Sequence, residues 1–519
     1  MSDGTVAGDG PTTPARETPD HTVDVLVIGA GLSGVGAAYR LQTECPDRTY
    51  AVLEARERIG GTWDLFRYPG VRSDSDVFTF SYLFRPWEGE QTLADGESIR
   101  TYIADVAAEN GIDRRIRFGT TVVHASWSSE AARWTVTAQR SDGPTETWSC
   151  GFLYACSGYY DYTGGHTPDF PGLDDFAGQV VHPQFWPEDL VVAGRRVVVI
   201  GSGATAVTLV PALAREGAHP VMLQRTPTWV VSQRQDDPVT RRLKRRLPPK
   251  VAHRVVRARN LALGQAFYQL SRRRPDLARS YLSKPIVGRM GPEFAAEHFT
   301  PSYDPWDQRL CVIPDSDLLK IVERGEAEVV TDRVDRFVPE GIRLVSGRVL
   351  EADVVVTATG LQMKLLSGFS LDVDGVPVVL PERAVYRGLM LDGVPNFALA
   401  IGYVNASWSL RADLSSRYVC RYLNHLRRRR RGFGYPVRPA DLEERPVMPL
   451  RSGYVQRALT TLPVQGSRDP WTVPQNYVLD SLRMRLGRVD EGLRFDVAPA
   501  PAAATAQRPA VPTPAGVTA

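Results

Sequence analysis

The sequence predicts an α/β fold, and three observations carry that reading. A β-branched strand, a glycine-rich turn and an Ala-rich helix follow one another in "VDVLVIGAGLSGVGAAYRL". The same succession returns in "RRVVVIGSGATAVTLV". Soon after the second copy comes a basic, helix-like stretch at about residues 236–299. Together they describe two dinucleotide-binding (Rossmann-like) domains with a helical insertion in the second.

In the first unit the turn reads Gly29-x-Gly31-x-x-Gly34. Such a pattern is weak alone. Here a strand precedes it, a helix follows, and "YAVLE" ends in Glu54, about 20 residues past the last glycine, which is the dinucleotide arrangement. The glycines allow a tight turn and close approach to a pyrophosphate, for which the helix N-terminus supplies N–H donors. Glu54 suits ribose hydroxyls.

The second unit reads Gly201-x-Gly203-x-x-Ala206, and its next strand, "PVMLQRT", ends in Gln224-Arg225-Thr226 where the first ends in a carboxylate. A carboxylate repels a 2′-phosphate, whereas a guanidinium binds one bidentately. The first site therefore suits the adenosine of FAD and the second suits NADPH, the alternative for Arg225 being a solvated strand-end charge. Two unlike nucleotide sites in one chain imply hydride transfer between cofactors, and so an oxidoreductase.

Composition narrows the electron acceptor. The five cysteines (Cys45, Cys150, Cys156, Cys311, Cys420) include no C-x-x-C pair, and none lies between Glu54 and Cys150. A disulfide reductase is therefore excluded, no metal is expected, and the thiols read as buried and reduced in a cytoplasmic protein. With 519 residues, 23% charged residues and a net charge of +3, the chain gives no general reason to expect nucleic acid. No apolar run approaches the ~18 residues of a membrane span. Residues 1–22 read as a disordered leader without a signal peptide's apolar core, and the Ala/Pro-rich residues 496–519 as a disordered tail.

Two further segments carry chemistry. In "GGTWDLFRYPGVRSD", residues 60–74, Trp63, Phe66 and Tyr68 offer flat apolar surface for a flavin ring, and Asp74 is a carboxylate close to it or an Asx-type turn. In "FAGQVVHPQFWP", residues 176–187, His182 stands among aromatic and apolar neighbours, and the residues alone do not separate base, metal ligand and hinge.

The first segment matches the pattern [A/G]-G-x-W-x-x-x-x-[F/Y]-P-[G/M]-x-x-x-D at every specified position. The second matches F-x-G-x-x-x-H-x-x-x-W-[P/D] through Phe176, Gly178, His182, Trp186 and Pro187. On these two signatures the chain resembles the Baeyer–Villiger monooxygenases; N- and S-oxygenating flavin monooxygenases generally lack the Trp-Pro ending. The likeness runs from about residue 23 to residue 495. In "CSGYY", "HPQFWPEDL", "GSGATAVTLVPAL" and "YDPWDQRLC" it looks most like the ethionamide-activating mycobacterial branch.

The resemblance implies that NADPH reduces FAD, that O₂ then gives a C4a-peroxyflavin, and that attack on a ketone yields an ester or lactone. It places Arg309 of "DPWDQRLC" as the cation that stabilises oxygen charge in the presence of NADP⁺, with Asp74 pairing and positioning it. Ser33, Glu54, Thr62, Trp63, Asp64, Leu65 and Asp74 match FAD-contacting positions, and Val122 matches a backbone contact to adenine. Ser202, Gly203, Ala204, Thr205 and Ala206, with Arg225 and Thr226, match the NADP site. Some members carry lysine where this chain has Gln308, so the preference for NADPH rests on Arg225 and Thr226. His182 becomes a hydrogen-bonded element of a domain-linking segment.

The implied organisation is an FAD domain over residues 23–159 and 361–495, a linker over 160–190, and an NADPH domain over 191–360 with its insertion at about 236–299. "ADVVVTATG" closes the second domain near the flavin, and "GYVNASW", residues 402–408, either returns to the pocket or is an ordinary loop. No acidic residue lies between Asp237 and Asp276, so the insertion either rests on an anionic membrane surface or presents a solvated basic face. The expected substrate is a small apolar ketone. The alternative is a flavin monooxygenase working mainly on S or N of sulfides, amines or thioamides. Substrate identity and oligomeric state stay open.

Overall fold

The computed structural model describes residues 18–89 and 91–496. The expected leader and tail fall almost wholly outside the described residues. Their inner ends depart from the expectation. His21 and Thr22 begin the strand His21–Ile28, paired with Trp148 and Ser149, and Asp496 ends the strand Leu493–Asp496, paired with Phe433. Backbone pairing overrides polar composition at both places.

A nine-stranded sheet forms the first layer. Its parallel centre runs Ile116–Arg117, Tyr50–Leu53, His21–Ile28 and Thr145–Ala155. Val25, Leu26 and Val27 are fully buried, the continuous apolar run of a strand covered on both faces. The meander Thr120–Ser128, Arg133–Arg140 and Thr145–Ala155 is antiparallel. Phe397–Leu399 and Ser370–Val373 join the same sheet from late in the chain.

A second sheet has five parallel strands in the order Glu328–Thr331, His219–Gln224, Arg196–Ile200, Val354–Thr357 and Gln179–Val181. Its last strand lies inside the stretch expected to be linker. Val181 is buried in the sheet's core, and pairing with Val354–Thr357 supplies the ladder that a free linker would lack. The strand Tyr160–Gly165 pairs with Leu361–Met363, so two short crossing strands join the layers.

The insertion is four helices, Pro238–Arg246, Pro249–Arg273, Pro275–Met290 and Pro292–Phe299. Each opens on proline, whose missing N–H costs nothing in the first turn. Arg241, Arg242, Arg245 and Arg246 are exposed. Arg257 instead points inward and donates from Nη1 to the carbonyls of Phe78 and Ser81, 2.8 Å each, tying the insertion to the helix Val77–Phe80. Among the described residues no helix is long and apolar enough to cross a membrane. All five cysteines are free and buried.

Candidate active site

Both glycine turns open on one cavity of about 1000 Å³. Gly29 sits at φ +100°, and a Cβ there would lie 2.7 Å from the Cys156 carbonyl oxygen. Gly34 faces Gly29 so closely that a Cβ would meet its carbonyl oxygen at 1.8 Å. These two glycines are steric requirements of strand and helix packing. Gly31 caps the helix Leu32–Glu44 at the cavity wall. In the second turn Gly201 has φ +142°, with a Cβ position 2.4 Å from the Ala358 carbonyl oxygen. Gly203 has open space where a side chain would stand, so the backbone there is free to approach a phosphate.

Ser202, Ala204 and Thr205 line the cavity beside it, whereas Ala206 is buried in packing. Ser202 donates to the Thr226 carbonyl at 2.9 Å, and Thr226 and Arg225 lie on the same wall. Glu54 accepts from the N–H groups of Ala30 at 2.6 Å and Arg56 at 2.9 Å. Burial raises its pKa while those two bonds oppose the rise, and its remaining lone pairs are available to ribose hydroxyls. Ser33 accepts from the Trp408 indole at 3.0 Å, and Thr62 bonds Tyr162 at 3.2 Å. Trp63 and Val122 also line the cavity.

Asp64 and Leu65, expected among the FAD contacts, do not line the cavity. Within the four-residue helix Thr62–Leu65, Thr62 and Trp63 face the cavity while both these residues turn into the protein. The Asp64 carboxylate holds Arg56 at 2.7 Å and Arg67 at 2.6 Å. That pair of arginines satisfies the buried charge.

The rest of the 60–74 segment reaches the second unit. Gly70, at φ +76°, is so close to the helix Ala204–Arg215 that a Cβ would lie 2.8 Å from the Ala212 Cβ and 3.1 Å from the Thr208 carbonyl oxygen. Arg72 donates to the Val312 carbonyl at 3.2 Å and stands 3.9 Å from Asp317.

Asp74 and Arg309 both line the cavity. They lie deep in the protein yet keep partial exposure, because the cavity itself is what they face. Among the described residues no ion pair within 4.0 Å joins them; the expected pairing takes the form of a charge interaction at longer range. Burial raises the Asp74 pKa, and Arg309 and then Arg72 pull it back. For Arg309 burial opposes the charge, but the acidic groups around it, Tyr159, Tyr454 and Tyr160 and then Asp74, raise its pKa above the ordinary value; with the phenols neutral at working pH, Asp74 is the one of these groups that carries a charge.

Those phenols are functional candidates that reasoning from the residues missed. Tyr159 and Tyr160 share a hydrogen bond at 2.8 Å, and Tyr159 stacks on Trp408 with ring centroids 4.6 Å apart. Burial pushes Tyr454 up to about 12 and Tyr160 higher still, so both stay protonated. Tyr159 and Tyr160 are visible in the sequence only as part of "CSGYY", and nothing local marks Tyr454. The segments 358–361 and 406–408 also line the wall, so the second of these is more than an ordinary loop.

The 176–187 signature lies off the cavity. Phe176 packs on Phe337, with centroids 5.9 Å apart, and Gly178 leaves room for that ring. Trp186 packs against the core of the second unit, and the Pro187 carbonyl accepts from the Leu190 N–H at 3.3 Å. His182 Nδ1 accepts from the Gln184 N–H at 3.2 Å, and Gln184 donates to the Asp161 carbonyl at 2.9 Å. The His182 Nε2 is buried near the Gly360 backbone without hydrogen-bond geometry. Burial lowers its pKa, and the ring rests so tightly against Gly165 that a Cβ there would lie 1.9 Å from it. The histidine packs where the two crossing strands meet.

Two dinucleotide turns opening on one cavity that is also lined by a deep-set guanidinium describe an oxidoreductase that brings two nucleotide cofactors together. Comparison with known proteins gives the family. A sequence profile for flavin-binding monooxygenase-like proteins matches residues 88–256, and one for NAD(P)-binding Rossmann-like domains matches residues 27–87. The chain is 50% identical over 487 residues to the FAD-containing monooxygenase EthA of Mycobacterium tuberculosis H37Rv, spanning 92% of this chain and 99% of that relative. It is 48% identical over 471 residues to EthA of Mycolicibacterium smegmatis, spanning 90% and 96%. Among solved structures, an oxidized steroid monooxygenase bound to NADP superposes with a TM-score of 0.70 at 22% identity, covering 92% of this chain and all of that one. An open form of cyclohexanone monooxygenase gives a TM-score of 0.70 at 20% identity over the same shares. The chain belongs to the flavin-binding monooxygenase family and is an FAD-containing monooxygenase.

Proposed function

We propose that the protein is an NADPH-dependent Baeyer–Villiger monooxygenase. It inserts one oxygen atom of O₂ beside a ketone carbonyl, giving an ester or lactone. The second oxygen atom leaves as water, and NADPH provides the two electrons. The observation that carries this reading is Arg309, a cation facing the cavity with three phenols and a carboxylate around it, in the same cavity as both nucleotide turns.

The residues present fit both cofactors. Gly29, Gly31, Ser33, Glu54 and Val122 would hold FAD, and the 201–205 turn with Arg225 and Thr226 would hold NADPH; the clear space at Gly203 is what a pyrophosphate needs. When bound, the nicotinamide supplies hydride and the flavin supplies oxygen activation. Arg309 contributes a charge that no working pH removes, placed to stabilise negative charge developing on oxygen. Tyr160 and Tyr454 remain donors in that same field, and Asp74 fixes the guanidinium electrostatically. The stacked Tyr159–Trp408 wall keeps water from the reacting face.

That aromatic wall also favours a second reading, oxygenation of a sulfide or thioamide sulfur, because soft sulfur packs well against aromatic rings. A panel of ketones, sulfides and thioamides supplied with NADPH and O₂ separates the two by product mass. Ester formation supports the first reading; sulfur oxides with no ester from any ketone establish the second.

A further inference from the structure

We propose that Arg333 is a second ligand for the 2′-phosphate of the pyridine nucleotide, forming with Arg225 a guanidinium pair that sets the choice of NADPH over NADH. The inference rests on the NADPH reading above and adds a residue to it.

Strand order places the two arginines together. His219–Gln224 and Glu328–Thr331 are neighbouring parallel strands with Gln224 opposite Thr331. The ladder continues one residue further, where the Asp332 N–H donates to the Gln224 carbonyl at 3.0 Å. Arg225 and Arg333 therefore leave adjacent strands within a residue of one another, at the carboxyl edge where open α/β sheets bind ligands. Both line the cavity.

Their charges are also uncommitted. Both side chains are exposed, and among the described residues neither enters an ion pair within 4.0 Å. The arginines that follow along the same region behave differently. Arg336 pairs with Asp175, Arg343 with Asp335 and Arg348 with Glu328. Asp332, the carboxylate between the two cations, also lines the cavity, but its oxygens are engaged by its own loop. It accepts from the Arg333 N–H at 2.6 Å and the Ser346 N–H at 3.3 Å; the Ser346 side chain first, then these N–H groups and the Arg333 charge, hold its pKa below the usual carboxylate value. Two unpaired guanidinia against one tied carboxylate suit a ligand group carrying close to two negative charges. A phosphate monoester is such a group, and two guanidinium forks match its oxygens.

The test uses the FAD-loaded full-length protein and isothermal titration with 2′,5′-ADP and 5′-AMP, which differ only in the 2′-phosphate. The wild type should bind 2′,5′-ADP more tightly. Arg333→Ala should weaken 2′,5′-ADP by roughly ten- to a hundred-fold while leaving 5′-AMP unchanged, as expected for a charge-assisted contact; Arg333→Lys should recover part of the loss. A flavin absorption spectrum like that of the wild type confirms folding. Unchanged 2′,5′-ADP binding in Arg333→Ala overturns the proposal and leaves the NADPH reading intact. Equal losses for both ligands overturn it in favour of stacking on adenine. A wild type that does not prefer 2′,5′-ADP removes the NADPH reading itself.

Discussion

His253 gives the protein an acid-sensitive seam whose size follows from its surroundings. It lies on the helix Pro249–Arg273, where the insertion meets the first nucleotide unit, and is only 4% exposed. Both ring nitrogens are buried without a hydrogen-bond partner, and the ring packs on Phe78 at 5.7 Å. Burial, then the charges of Arg257 and Lys244, lower its pKa from 6.5 to about 4. Between those values the unfolded chain binds a proton that the folded protein refuses, so stability falls as pH falls. At about 1.4 kcal/mol per pH unit, the resulting loss of stability is zero above pH ~6.5 and grows to about 3 kcal/mol near pH ~4. His253→Leu substitutes an apolar side chain of similar size and removes the titration. Urea unfolding of wild type and variant, from neutral pH down to about pH 4.5, reads the difference. The wild type should lose roughly 2–3 kcal/mol more than the variant over that range. Parallel curves would refute the buried, neutral imidazole. The seam bears on function because the helix Val77–Phe80 carries Phe80 into the cavity wall, edge-on to Trp63 at 5.9 Å.

Three other substitutions test the site. Arg309→Ala should lower product formation at least about a hundred-fold while NADPH still reduces the flavin, because the lost charge acts on oxygen and not on hydride transfer; product yield against stopped-flow flavin reduction measures this. Gly70→Ala places a Cβ 2.8 Å from Ala212 at a positive φ. It should destabilise by about 2–4 kcal/mol and slow flavin reduction by NADPH, since the 60–74 segment would be pushed off the second unit; thermal unfolding and reduction rates check both parts. Trp408→Phe removes the indole donor to Ser33 and should weaken FAD binding by roughly five-fold, the equivalent of about 1 kcal/mol. Fluorescence titration of the apoprotein with FAD reads that change.

What the sequence reveals about this site divides by the range of the forces involved. The two turns are legible because their requirement is local: Gly29 and Gly201 have backbone angles and carbonyl neighbours that leave no room for a side chain, and a strand and helix flank each. The insertion is legible for a similar reason, since its prolines and basic runs mark helix starts and an outer face. Asp64 and Leu65 are not, because a single helical turn has no periodicity from which to assign a face. Gln179–Val181 reads as linker because a three-residue edge strand is defined only by its partner more than 170 residues away. Arg309 and Asp74 come from a family pattern; their chemistry alone would not single out one arginine among many. The guanidinium's surroundings lie beyond even that pattern. The Tyr159–Tyr160 pair and Tyr454 come from distant points of the chain, and they stand around Arg309 only once the sheets have closed around the cavity. Arg333 is the same case. Next to Asp332 in sequence it reads as one half of a neutral surface pair, and only the strand order, which sets it beside Arg225 on the cavity wall while the Asp332 oxygens are engaged by their own loop, makes it a candidate ligand for a phosphate.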